Sequence, residues 1–180
     1  RRSFITGIQS TKLTLLEEKF LRKYKPWGVI LFTRNIKDID QTFKLTSSIR
    51  KIFKDPKYPI LIDQEGGRVN RLKNIISFDN LTSKFFEDLY FNDLKKFKFI
   101  YKLFIDKTSY LLKSIGANIN TTPVLDLRIK GSSNIIGDRS FSANPKIASR
   151  IGDYCIKYFS ENGIGTIIKH IPGHGLAKVD

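Results

Sequence analysis

The sequence predicts an α/β fold built on a parallel sheet, and three observations carry that prediction. Short runs of consecutive apolar residues recur along the chain, the pattern of strands buried on both faces. Amphipathic stretches of helical length separate them. The runs end, at their C-terminal sides, on charged or glycine-rich clusters. Strands that alternate with helices pair in parallel, because each helix returns the chain to the same end of the sheet.

Residues 4–8 read as a first short strand. A helix follows, with Thr14 as N-cap, Glu17 as its capping-box partner and Leu15, Leu16, Phe20 and Leu21 as apolar positions, and Pro26 ends that pattern. Residues 27–32 form a continuous apolar run of strand length, so Trp27 is expected in the core. A second helix spans 39–53, with Phe43, Ile49 and Phe53 among its apolar positions, and 59–63 is a third strand. A polar loop then leads to one long helix, 92–115, closed by Gly116 as C-cap. Residues 118–124 are a fourth strand, 145–162 a fourth helix closed by Gly163, and 164–169 a fifth strand. Cys155 is expected as a small buried residue of that fourth helix. No internal repeat or interdomain linker is evident, and the length fits one domain.

The polar clusters decide between the parallel architectures. Thr33-Arg34-Asn35 follows the second strand and Asp63-Gln64-Glu65-Gly66-Gly67-Arg68 the third. Asp126 with Arg139 follows the fourth, and Lys169-His170 ends the fifth. A doubly wound sheet gathers its site only at the switch point, whereas a barrel brings every such end to one rim. The expectation is therefore a (β/α)8 TIM-type barrel, represented by its N-terminal portion of about five strands. Five strands do not close an eight-stranded barrel, and no methionine occurs anywhere, position 1 included. Both facts lead us to expect a piece of a longer polypeptide.

Composition excludes several functions. A chain that is 41% hydrophobic with 14 Phe is not disordered. No window reaches the roughly 18 apolar residues of a membrane span, so no membrane partner is expected. The lone Cys155 rules out an internal disulfide framework and fits a reducing compartment. The net charge of +15 raises the question of nucleic acid, yet 22 of the 32 basic residues are lysines scattered through helices. No zinc-finger, RNP or Walker motif accompanies them, so no nucleic-acid partner is expected.

Two segments carry chemistry. In IDQEGGRVNR, Asp63 and Glu65 are two apart and project the same way from an extended chain. Such a pair suits glycosidase acid/base work at separations of about 5–9 Å. Equally, Glu65 could hold the loop by pairing with an arginine or with backbone N–H groups. Arg68 and Arg71 offer forked donors to carboxylates or sugar hydroxyls. In KHIPGHG, His170 and His174 have the spacing of a zinc helix, but Pro172 and Gly173 break such a helix, so no metal is expected. No GxGxxG follows a strand, so no cofactor is expected either.

Five blocks stand in order: GVILFTRNI, ILIDQEGGRVNRL, PVLDL, IIGDRSFSANP and GIGTIIKHIPGHG. Together they resemble family 3 glycoside hydrolases, specifically the bacterial β-N-acetylhexosaminidases of cell-wall recycling, from about residue 4 to residue 180. The resemblance implies a retaining glycosidase that removes terminal non-reducing β-linked N-acetylglucosamine from muropeptides or related saccharides in the cytoplasm. It implies sugar binding by Asp63, Arg71, Arg139, Lys169 and His170. It implies a catalytic dyad in which Asp180 orients an acid/base histidine two residues beyond it, with a nucleophilic aspartate further on. Residues 1–180 are then the family's N-terminal barrel domain, truncated at its C-terminal end and inactive alone. An exo-β-glycosidase for another sugar and a catalytically dead sugar-binding homologue are the alternatives.

Overall fold

A computed structural model describes residues 2–131 and 134–176. Five strands, β1 (Arg2–Gly7), β2 (Pro26–Leu31), β3 (Ile60–Ile62), β4 (Ile119–Asn120) and β5 (Gly165–Thr166), form one sheet in the order β1-β2-β3-β4-β5. Every neighbouring pair is parallel, with Val29 opposite Ile60, Ile62 opposite Asn120 and Asn120 opposite Thr166. The helices α1 (Leu15–Tyr24), α2 (Ile39–Phe53), α3 (Ser83–Asn92), α4 (Leu94–Ser114) and α5 (Pro145–Glu161) fill the crossovers. Spatial order follows chain order without reversal, as in a barrel and unlike a doubly wound sheet.

Register sorts the side chains. Val29, Leu31, Ile60 and Ile62 are fully buried in one core with Ile49 of α2, Phe97, Ile105 and Leu112 of α4 and Ile151 and Phe159 of α5. Phe86 anchors the α3–α4 contact, its ring centroid 4.5 Å from that of Tyr101 and 5.2 Å from that of Phe104. Cys155 is buried, and burial pushes its thiol up to about 11, so it is an inert thiol at neutral pH.

Local chemistry sets the helix ends. Thr14 and Glu17 form the expected capping box, Glu17 N–H donating to Thr14 Oγ1 at 3.2 Å and Thr14 N–H to Glu17 Oε2 at 2.8 Å. Past α4, Gly116 has φ +77°, and a Cβ there would stand 2.4 Å from Thr46 Oγ1. Only glycine fits.

Three expectations change. The 92–115 helix is α4 alone, and a separate α3 precedes it where a loop was expected. Asp93 makes the break: its backbone N–H donates to Leu89 O of α3, while its carboxylate accepts from Lys96 N of α4. Trp27 is 40% exposed rather than core. Val29 and Leu31, further along the same face, are fully buried, so the exposure belongs to the N-terminal end of β2. The fourth and fifth strands are shorter than 118–124 and 164–169, because Pro123 has no N–H for a ladder. Pairing resumes beyond it as a bridge between Val124 and Lys169, with Leu125 N–H donating to Lys169 O at 2.8 Å.

Candidate functional site

The site begins with how the chain leaves β3. Gln64 is buried and pinned by Asn120 of β4: its N–H donates to Asn120 Oδ1 and its carbonyl accepts from Asn120 Nδ2, both at 2.9 Å. Its side-chain Oε1 accepts from Leu72 N–H at 3.1 Å, which folds the segment back. Gly66 takes φ +92°, and a Cβ there would lie 2.3 Å from Leu81 O. The tight turn leaves Asp63 and Glu65 addressing one point. Lys169, at the end of the β5 segment, occupies that point, with Nζ 2.9 Å from Asp63 Oδ1 and 2.6 Å from Glu65 Oε1.

Further cations extend the cluster at both ends. Arg139 grips Glu65 with both tines of its fork, Nε to Oε2 at 2.8 Å and Nη2 to Oε1 at 2.9 Å. Of the two roles open to Glu65, the structure therefore gives it the arginine pairing. Arg71 Nη2 lies 3.5 Å from Asp63 Oδ2, and its guanidinium sits 5.5 Å above the Phe32 ring. Arg68 braces the segment that carries Arg139: its Nη2 donates to the carbonyls of Ile135 at 2.7 Å and Ile136 at 3.1 Å, and its Nε meets Asp138 at 3.1 Å.

A second carboxylate organises the histidine loop. The buried Asp126 accepts from the backbone N–H of His170 at 3.1 Å and that of His174 at 2.5 Å, and His170 Nδ1 stands 2.5 Å from its Oδ2. Burial alone would raise the Asp126 carboxyl, but the His174 N–H and the His170 ring and N–H outweigh it and hold it below the ordinary value. For Asp63, burial likewise pushes up, while the Lys169 ammonium, the Thr121 hydroxyl and Arg71 push down and prevail. Both carboxyls are ionised at neutral pH. Burial depresses the Arg139 guanidinium, but pairing with Glu65 raises it above its usual value.

The structure thus brings Asp63, Arg71, Arg139, Lys169 and His170 to the C-terminal ends of β3, β4 and β5. Asp180 lies outside the described residues. Arg34 and Asn35 do something else: Arg34 Nε donates to Ile8 O at 3.0 Å, and the Asn35 amide donates to Ile8 O and Ser10 O at 3.1 and 2.9 Å. They tie the end of β1 to that of β2. Sequence reasoning missed Thr121, whose hydroxyl donates to Asp63 Oδ1, and Asn120, which holds Gln64. The available signal was the polar Asn120-Thr121-Thr122 at the end of a strand. Phe32, the shelf under Arg71, had no signal beyond its place at a strand end.

Residues 7–180 match the glycosyl hydrolase family 3 N terminal domain. The chain belongs to that family. Among similar proteins, a beta-hexosaminidase of Hydrogenovibrio crunogenus is 32% identical over 176 residues, covering 98% of this chain and 48% of the relative. One from Thioalkalivibrio sulfidiphilus is 30% identical over 173 residues, with 96% and 49% covered. The crystal structure of native NagZ from Neisseria gonorrhoeae superposes with a TM-score of 0.86 at 29% identity, covering 97% of this chain and 50% of that one. The same protein in complex with N-trifluoroacetyl-D-glucosamine superposes equally well, with 97% and 51% covered. The chain spans about half the length of the curated relatives it matches. As a family 3 domain it has the expected α/β barrel-type architecture, with five parallel strands among the described residues.

Proposed function

We propose that this family 3 domain supplies the sugar-binding rim of a β-N-acetylhexosaminidase. The observation that carries the reading is the Lys169 ammonium held between Asp63 and Glu65, with Arg71 and Arg139 at the two ends of the row. An ionised Asp63 accepts hydrogen bonds from two neighbouring sugar hydroxyls, and Lys169 and Arg71 donate to others. A pyranose ring fixed through its hydroxyls is presented to the reacting groups in one orientation, and positioning of this kind supplies a large part of an enzyme's rate advantage.

His170 works from the other side. With Asp126 ionised, the proton of a neutral His170 sits on Nδ1 and is shared with the carboxylate, which leaves Nε2 as its acceptor for a hydroxyl. Arg139 contributes mainly by keeping Glu65, and hence Lys169, in place, since Glu65 already occupies its fork. The finer reading follows the family resemblance. The substrate is a terminal non-reducing β-linked N-acetylglucosamine on a peptidoglycan fragment, the mechanism is retaining, and the compartment is the cytoplasm. Asp180 belongs to the dyad that protonates the leaving group, and residues 1–180 are the N-terminal part of the barrel. The beta-hexosaminidase names of the relatives and the glucosamine derivative bound by NagZ support the N-acetylglucosamine part of this reading.

The test is kinetic, on the polypeptide extended to the length of its relatives. A chromogenic N-acetylglucosaminide should be cleaved, and Asp63→Asn should lower kcat/KM by roughly a hundredfold or more, given the several hydrogen bonds to a charged group that are lost. Equal turnover of a glucoside would favour another sugar specificity. Sugar binding without any turnover would favour the binding homologue.

A further inference from the structure

Away from the rim, α4 breaks the rule that an outer helix shows polar residues to water. Phe97, Tyr101, Phe104, Ile105 and Thr108 face the core. Phe99, Leu103 and Tyr110 lie opposite them within an arc of about 40° at 100° per residue. They are 68%, 56% and 63% exposed. Exposed lysines flank this crest, Lys95 and Lys113 on one side and Lys96 and Lys107 on the other. Lys107 Nζ lies 5.5 Å from the centre of the Tyr110 ring. Asp106, the acidic residue of the helix, is already engaged by Lys102 at 2.9 Å and Asn162 at 2.7 Å. By contrast, α5 exposes Lys146, Arg150, Asp153, Lys157 and Glu161 and carries no exposed large apolar side chain.

We infer that the outward crest of α4 docks this protein on an anionic lipid surface. The crest is a ridge on a single helix, spanning about 16 Å from Phe99 to Tyr110 at 1.5 Å per residue. A soft bilayer interface envelops such a ridge, with the aromatic rings at the acyl boundary and the lysines reaching outward to phosphates. A second copy is disfavoured, because pairing two crests sets lysines against lysines. The contact is peripheral: among the described residues no helix is long and apolar enough to cross a membrane. The sequence expectation of no membrane partner rested on that missing span, and surface association needs none. The inference is independent of the sugar site, which lies at the strand ends.

Co-sedimentation of the polypeptide, extended to the length of its relatives, with vesicles tests it. Vesicles of phosphatidylcholine mixed with phosphatidylglycerol should bind the protein, more weakly as salt rises, and pure phosphatidylcholine should not. Phe99→Ser with Leu103→Ser and Tyr110→Ser should weaken binding at least tenfold, with an unchanged circular dichroism spectrum as the folding control. Lys96→Gln with Lys107→Gln keeps the apolar crest, and should weaken binding roughly twenty-five-fold, at about fivefold per lysine. Three results would overturn the inference: no binding to the anionic vesicles, equal binding by the native protein and both variants, or a dimer that the serine variant abolishes in the absence of any lipid binding.

Discussion

The ends of β2 and β3 look alike in sequence and do different work. Each strand runs out into a polar cluster, Thr33-Arg34-Asn35 in one case and Asp63-Gln64-Glu65 in the other. After β2, Arg34 and Asn35 spend their donors on the backbone carbonyls of Ile8 and Ser10. After β3, Asp63 and Glu65 meet the side chains of Lys169, Arg71 and Arg139. A backbone carbonyl in a closed turn is a permanent partner. Paired carboxylates keep further lone pairs, which a ligand hydroxyl can engage while the ion pairs stand. Partner type therefore separates scaffold from site where charge alone does not.

The largest expected effect falls at Glu65. Its side chain is almost fully buried between Arg139 and Lys169, and Glu65→Ala leaves two largely buried cations without it. Breaking such a pair from one side costs about 3–5 kcal/mol. Urea denaturation should show this as a lower midpoint, and Glu65→Gln should recover part of it. A midpoint unchanged in Glu65→Ala would put Glu65 outside the scaffold of the site.

Next comes Arg71, held by one ion pair at 3.5 Å and the Phe32 ring. Arg71→Ala should weaken N-acetylglucosamine affinity by about 1.5–3 kcal/mol through loss of a charge-assisted donor, and leave the urea midpoint nearly unmoved. Asn35→Ala should do the reverse, destabilising by about 1–3 kcal/mol through the carbonyls it leaves unpaired without changing sugar affinity in the folded protein. If Asn35→Ala alters affinity, the contrast between the two strand ends fails.

The smallest effect is the pH dependence. Asp63 and Asp126 both titrate below their ordinary values in the folded state. Their stabilisation is therefore fully present above the unfolded carboxylate value of about 3.9 and is lost as pH falls through the folded values. The urea midpoint should fall on acidification below about pH 4, and Asp63→Asn should flatten that decline. A decline of the same steepness in Asp63→Asn would mean that its carboxylate is not preferentially stabilised in the fold.

Local signals carried most of what the sequence could reveal. The capping box at Thr14, the bounds of α2 and the closure of α5 each depend on residues close in the chain. Helix α3 had such a signal as well, with Thr82 as N-cap and Phe86 and Leu89 at helical spacing, but it lay inside a segment read as loop. Trp27 failed because an apolar run does not say where coverage of a strand ends. In the site, the equal projection of Asp63 and Glu65 was legible from their spacing. The partner of Glu65 was legible only as an arginine: Arg139 lies 74 residues away in the chain, and only the fold pairs them. Thr121 and Phe32 act through contacts across the sheet, which periodicity does not encode.

Calorimetric titration of N-acetylglucosamine into the native protein, Asp63→Asn and Lys169→Met tests the central claim most directly, namely that the Asp63–Lys169–Glu65 row is the sugar-binding element. The account predicts measurable binding by the native protein, lost in both variants, with circular dichroism spectra that match the native one. Native-like affinity in either folded variant would contradict it.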